Sequence, residues 1–162
     1  MTMVAITVNG QRVQARPEST ILEACSEAGI YIPTLCHHPR LGAAGNCRVC
    51  LVEVEGMRGL PLSCMTQVRE GMVVRTDTEA VLGARRAIVE LLLASGDHDL
   101  TEPDENELAK VARHLGIERP HFPRLDVKHT VDDSHPLVVY DEAKCIRCGR
   151  CVRAGNGTVV NE

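Results

Sequence analysis

Three features of the sequence predict an α+β fold: apolar residues that alternate around an Asn-Gly pair at the start, a capped amphipathic helix soon after, and two further helical stretches beyond residue 78. Val4, Ile6 and Val8 alternate with polar residues. Asn9-Gly10 then leads into Val13 and Ala15, the pattern of a two-residue hairpin. Thr20 with Glu23 reads as a capping box, Ile21, Leu22, Cys25 and Ala28 share a helical face, and Gly29 ends the helix. From Pro33 to Asn46 runs a long loop that carries Cys36 and delivers the chain to Cys47. A loop of that length points to a function.

Leu51, Val52 and Val54 predict a strand before the Glu55-Gly56 turn, and Met72 to Thr76 predict another. Glu79 to Ala94 reads as a helix through Val81, Leu82, Ile88, Val89, Leu92 and Leu93. A second helix is predicted from Thr101, with Pro103 in its first turn and Leu108, Val111, Ala112 and Leu115 on one face before Gly116. Residues 117–135, with Pro120 and Pro123 and little periodicity, read as a linker, and Leu137 to Tyr140 as a short strand. The expected organisation is therefore a domain at 1–78, a helical segment at 79–116, the linker at 117–135 and a tail at 136–162.

The 162 residues leave room for one ordinary domain and a smaller appendage. Apolar residues at 44% and charged residues at 25% fit a globular chain rather than a disordered one. Lys and Arg number 18 against 22 Asp and Glu, so the chain lacks the basic footprint of a nucleic-acid binder. No secretory signal or membrane span is expected: residues 1–20 hold no apolar run, and the greasy stretch from Ile88 to Ala94 is short and carries Glu90. A cytoplasmic location follows as an expectation. In that compartment the eight cysteines favour metal binding over disulfides.

Cys36, Cys47, Cys50 and Cys64 have the spacing C-x10-C-x2-C-x13-C. Four thiolates are the usual ligands of an iron-sulfur cluster, and Gly42 and Gly45 in the loop would let backbone N–H groups approach such an anionic centre closely. A structural zinc also accepts four thiolates, although zinc sites commonly pair two CxxC knuckles and only Cys47 and Cys50 are so paired. Spacing favours iron-sulfur and leaves zinc open.

The runs Ile30-Tyr31-Ile32-Pro33-Thr34-Leu35-Cys36, Gly45-Asn46-Cys47-Arg48-Val49-Cys50-Leu51-Val52-Glu53-Val54 and Ser63-Cys64 closely resemble the N-terminal ferredoxin-type domain of a known family. That family comprises the large iron-sulfur subunit of complex I, the small diaphorase subunit of NAD-reducing hydrogenases, NAD-linked formate dehydrogenases and iron-only hydrogenases. The resemblance implies a β-grasp fold and a 2Fe-2S cluster on Cys36, Cys47, Cys50 and Cys64. In the family a histidine and three cysteines follow the next helix and hold a 4Fe-4S cluster. Here His98 remains, but residues 99–111 contain no cysteine, so that cluster is not expected. His98 is read as an exposed residue beyond a helix end.

Cys145, Cys148 and Cys151 form C-x2-C-x2-C, much as in the family's ferredoxin-like tail. The motif is a strong iron-sulfur signal, yet it is one ligand short of a 4Fe-4S site, and the distant second run that would supply the fourth is missing. A longer parent chain, a ligand from a partner and a relic motif all stay open.

Cys25 is read as a buried structural thiol. His37 and His38 beside Cys36 are read as solvent-facing. Arg85 with Arg86, and Arg147, Arg150 and Arg153, are read as solvated faces, with docking of an acidic partner as the sharper alternative. No G-x-G-x-x-G follows a strand, no P-loop occurs, and no acid-base or nucleophilic constellation stands out. The expected function is a subunit, or fragment of one, that relays single electrons between a flavin-bearing NAD(P)H-oxidising partner and a further redox subunit. A zinc-stabilised, non-redox interaction module is the alternative.

Overall fold

The computed structural model describes residues 3–101 and 106–158. The chain divides into two compact units, Met1–Arg85 with Gly149–Glu162, and Arg86–Cys148.

In the first unit β1 (Val4–Val8) and β2 (Gln11–Ala15) pair antiparallel, with Ile6 opposite Val13. Asn9 at φ 50° and Gly10 at φ 83° make the left-handed turn that matches the strand twist. Helix α1 (Ile21–Glu27) starts on the expected capping box: the Glu23 N–H donates to Thr20 Oγ1 at 3.2 Å, and the Thr20 N–H donates to the Glu23 carboxylate at 2.7 Å. It ends where Gly29, at φ 74°, lets Gly29 N–H reach the Ser26 carbonyl at 3.1 Å and Ile30 N–H the Cys25 carbonyl at 2.8 Å. Strands β3 (Glu53–Val54) and β4 (Val73–Arg75) complete a mixed sheet of order β2-β1-β4-β3, in which β1 and β4 run parallel with Thr7 opposite Val73. Both are shorter than their sequence patterns, and Leu51 makes only an isolated bridge to Leu62. Ile6, Val8, Val13 and Ala15 of the sheet and Ile21, Leu22 and Cys25 of α1 form the core.

Helix α2 (Glu79–Ala94) has the predicted bounds, but its buried stripe corrects the sequence reading. Val81, Arg85, Val89 and Leu93 stand four residues apart and are all buried, and Arg85 is only 1% exposed. Arg85 is therefore an interior residue rather than part of a solvated face. Arg86 is exposed and donates from Nε to the Leu115 carbonyl at 3.0 Å.

In the second unit α3 (Glu107–His114) begins later than expected. Asn106 caps it, accepting from the N–H groups of Leu108 at 3.0 Å and Ala109 at 3.2 Å, whereas Thr101 sits in a bend tied to Asp99. Pro103 lies outside the described residues. The predicted face of Leu108, Val111, Ala112 and Leu115 is buried. The stretch expected to be linker ends in β5 (Val131–His135), which pairs antiparallel with β6 (Val138–Asp141). Both strands are exposed on nearly all positions, so Val131-Asp132-Asp133-Ser134 lacks the alternation that marks a half-buried strand. A 3-10 turn, Glu142–Lys144, precedes Cys145. Helix α4 (Arg150–Thr158), which the sequence pattern does not foretell, belongs to the first unit. Among the described residues no helix is long and apolar enough to cross a membrane.

Candidate metal centre

Cys36, Cys50 and Cys64 are buried and Cys47 is partly buried, and none is in a disulfide. They come from three loop segments: Cys36 after Leu35, the Cys47–Cys50 turn, and Cys64 beyond β3. Cys50 and Cys64 are 3.2 Å apart at sulfur, too far for a covalent bond and close enough to share a proton. Cys36 and Cys47 form a second hydrogen-bonded thiol pair. Both pairs act on one another: the Cys64 thiol is pushed up by its hydrogen bond to Cys50, by burial, and by the charges of Cys50, Cys36 and Cys47.

The backbone converges on the sulfurs. N–H groups of Cys47 and Asn46 donate to Cys36 and more than offset burial, so its thiol lies below the usual value. Those of Val49 and Leu35 donate to Cys47, although burial prevails there and raises that thiol. Cys50 is lowered to about 6, chiefly by its hydrogen bond with Cys64 against burial, and further by the Cys64 N–H and the Ser63 hydroxyl. Arg48, in the left-handed region at φ 59°, makes the Cys47–Cys50 turn tight enough to aim these groups. Gly45, at φ 66°, brings the loop against Leu62, whose Cδ1 would stand 3.3 Å from an added Cβ.

This donor set suits an anionic cluster with two thiolates on each of two irons. Two buried groups strengthen the fit. Ser63 Oγ is fully buried beside Cys50 and has no nitrogen or oxygen partner, and Arg85 Nε is buried without a partner. The Ser63 hydroxyl faces the Cys50 sulfur, and the Arg85 Nε–H is left open to negative charge. Among the described residues, no three His, Cys, Asp or Glu side chains form a ready ligand set for a single metal ion.

Other residues singled out in the sequence stand elsewhere. Cys25 is in the core, its thiol raised to about 11 by burial, as a structural cysteine should be. Cys145 Sγ accepts from the Arg147 N–H at 3.4 Å and meets the Tyr140 hydroxyl. Cys145 and Cys148 belong to the second unit and Cys151 to the first. His37 and His38 are half-buried rather than solvent-facing, and burial lowers His37. His98 is half-buried rather than exposed: its Nε2 is enclosed without a partner, beside Gly96, where an added Cβ would collide with it and with the Ala143 carbonyl.

Arg150 and Arg153 do not form a solvated face. Arg150 donates to the His37 carbonyl at 2.7 Å, and Arg153 to the carbonyls of Leu41 at 3.0 Å, Gly42 at 3.2 Å and Cys36. The sequence offered no signal for these bonds beyond the charge itself.

Residues 1–79 match the 2Fe-2S iron-sulfur cluster binding domain family. A crystal structure of an NAD+-reducing [NiFe]-hydrogenase in the H2-reduced state aligns with a TM-score of 0.88 and 33% identity over 96% of this chain and 67% of that one. The chain belongs to the 2Fe-2S ferredoxin-type family. Curated relatives of this ferredoxin-type chain include the mitochondrial NADH-ubiquinone oxidoreductase 78 kDa subunit of Candida albicans, 39% identical over 94% of this chain and 22% of the relative. They also include a subunit of the NADP-reducing hydrogenase of Solidesulfovibrio fructosivorans, 39% identical over 93% and 27%. A third is a subunit of the NADH-quinone oxidoreductase of Rickettsia bellii, 36% identical over 95% and 23%. The chain thus spans about a quarter of the length of these curated relatives.

Proposed function

We propose that this chain is an iron-sulfur electron-transfer subunit, or part of one, in which a β-grasp domain holds a 2Fe-2S cluster on Cys36, Cys47, Cys50 and Cys64. It relays single electrons between a flavin-bearing NAD(P)H-oxidising partner and a further redox subunit of a multisubunit oxidoreductase, in the cytoplasm. The convergence of four thiols on a cradle of backbone N–H donors carries this reading. The relatives, which are subunits of NADH- or NADP-linked complexes, support the partners. The unpaired thiols suit a reducing compartment.

When bound, a 2Fe-2S cluster takes up and releases one electron with little movement of its ligands. The chain supplies the rest. The amide N–H groups of residues 35, 46, 47, 49 and 64 hold the thiolates in place and spread their charge. Val52 and Leu62 pack in one core with Cys50 and Cys64 and limit the access of water to those sulfurs. Cys145, Cys148 and Cys151 are proposed as a partial 4Fe-4S site that needs a fourth ligand from outside the sequence.

Anaerobically purified protein tests the reading. The expected result is close to two irons and two sulfides at the N-terminal site, brown absorbance, a rhombic resonance on reduction, and a midpoint on the order of −400 mV. A colourless protein loaded with zinc establishes the non-redox alternative instead. A midpoint above roughly −150 mV excludes ligation by cysteine alone.

A further inference from the structure

Arg85 is the one wholly buried arginine among the described residues, and its surroundings are unusual for a buried charge. Its Nη2 donates to the carbonyl of Leu51, the residue directly after Cys50. Its Nε has no partner. Among the described residues no carboxylate lies within ion-pair distance of it. Burial acts on it most strongly, and of the charges that act on it Cys50 is the strongest, ahead of Asp77 and Tyr31. A buried charge left without a counter-ion costs several kcal/mol, and proteins seldom keep one unless something offsets it.

We propose that Arg85 is a potential-setting residue: its buried guanidinium, fixed beside Cys50 by the Leu51 carbonyl, is the counter-charge of the iron-sulfur centre and raises that centre's reduction potential. The inference rests on the 2Fe-2S reading above. Two ferric ions, two sulfides and four thiolates make a doubly negative complex. One electron from an external reductant makes it triply negative, with no bond made or broken and no proton required.

A positive charge nearby favours the more negative state, and more so in a dry interior than in water. Although burial lowers the guanidinium to about 10, it stays protonated near neutrality. Helix α2 places Arg85 in the buried stripe of Val81 and Val89, which keeps the charge out of solvent. The buried Ser63 hydroxyl acts on the same sulfur and in the same direction.

The test is an anaerobic dithionite titration of the full chain, followed by visible absorbance and electron paramagnetic resonance, for the native protein, Arg85→Lys and Arg85→Gln. Iron and sulfide are counted in each. Arg85→Gln is expected to shift the midpoint negative by about 59 mV, a tenfold change in the ratio of reduced to oxidised centre. Arg85→Lys, which keeps the charge, is expected to stay close to native.

Admission of water at position 85 would move the midpoint the other way, so the sign separates charge from exposure. Loss of the centre from Arg85→Gln but not from Arg85→Lys also supports the proposal. An unmoved or positive midpoint in Arg85→Gln overturns it, as does loss of the centre from both variants, which assigns Arg85 to packing. Native protein without iron and sulfide overturns the 2Fe-2S reading, and this inference with it.

Discussion

Arg150 donates from Nη2 to the carbonyl oxygen of His37 at 2.7 Å, so a helix at the far end of the sequence holds the peptide that follows Cys36. Arg153, one turn further along α4, adds bonds to Cys36, Leu41 and Gly42. The loop carrying the first cysteine of the candidate metal centre is braced from outside its own domain in sequence.

Arg153→Met should therefore loosen that loop. Charged donors to carbonyls are each worth on the order of 1–3 kcal/mol when the acceptor is left without a partner. Chelator-driven iron release is expected to be about tenfold faster than in the native chain, with faster amide exchange at residues 37–42. Native rates in both measurements refute a bracing role.

Substitutions at Cys50 and Cys25 should part company. Cys50 sits 3.2 Å from Cys64 in the thiol cluster, whereas Cys25 is packed in the core. Cys50→Ser is expected to lose most of the iron, and Cys25→Ala to keep it with a loss of stability on the order of 1 kcal/mol. Equal iron loss in the two variants would show that the ligands are misassigned.

The same Cys25 predicts an alkaline weakness. Burial raises its thiol from 9.0 to about 11 in the folded chain, so folding favours the neutral form. The stabilisation is fully present below the unfolded value of 9.0 and is lost as pH rises through 11. Two units correspond to roughly 2–3 kcal/mol. Denaturant midpoints measured from pH 8 to about 11 should fall more steeply for the native chain than for Cys25→Ala; parallel curves would contradict this account.

Gly45→Ala is expected to destabilise the apoprotein more than Gly42→Ala. Both positions have left-handed φ, which costs a residue with a Cβ about 1–2 kcal/mol. Only at Gly45 does the new methyl also press on a neighbour, Leu62 at 3.3 Å, with Met65 at ordinary contact distance. Thermal unfolding of the two variants in the absence of iron gives the comparison.

Local chemistry made half of this molecule readable in advance. Val4, Ile6 and Val8 with Asn9-Gly10, Thr20 with Glu23, and the full span of α2 are each specified by neighbours in sequence, and each appears as expected. Arg85 was readable from its spacing to Val81 and Val89, but its charge pointed to the surface, and the Leu51 carbonyl and Cys50 that it faces inside come from a distant part of the chain. The Asp132-Asp133 strand has no apolar face to betray it. The cysteines of the candidate centre were visible as spacing, whereas the N–H cradle depends on backbone angles such as φ 59° at Arg48, which a side chain of that type does not advertise.

The parallel pairing of Thr7 with Val73 has a consequence for how the centre is made. Cys36, Cys47, Cys50 and Cys64 all lie on the stretch of chain that this pairing closes. Contacts between residues so far apart in sequence form slowly, because the entropy of closing the intervening chain is lost before any packing compensates it. During biosynthesis, then, β1 lacks its parallel partner until β4 has emerged, by which time all four cysteines have been made. On the proposed ligand set, iron and sulfide then meet a chain whose four thiols are already present.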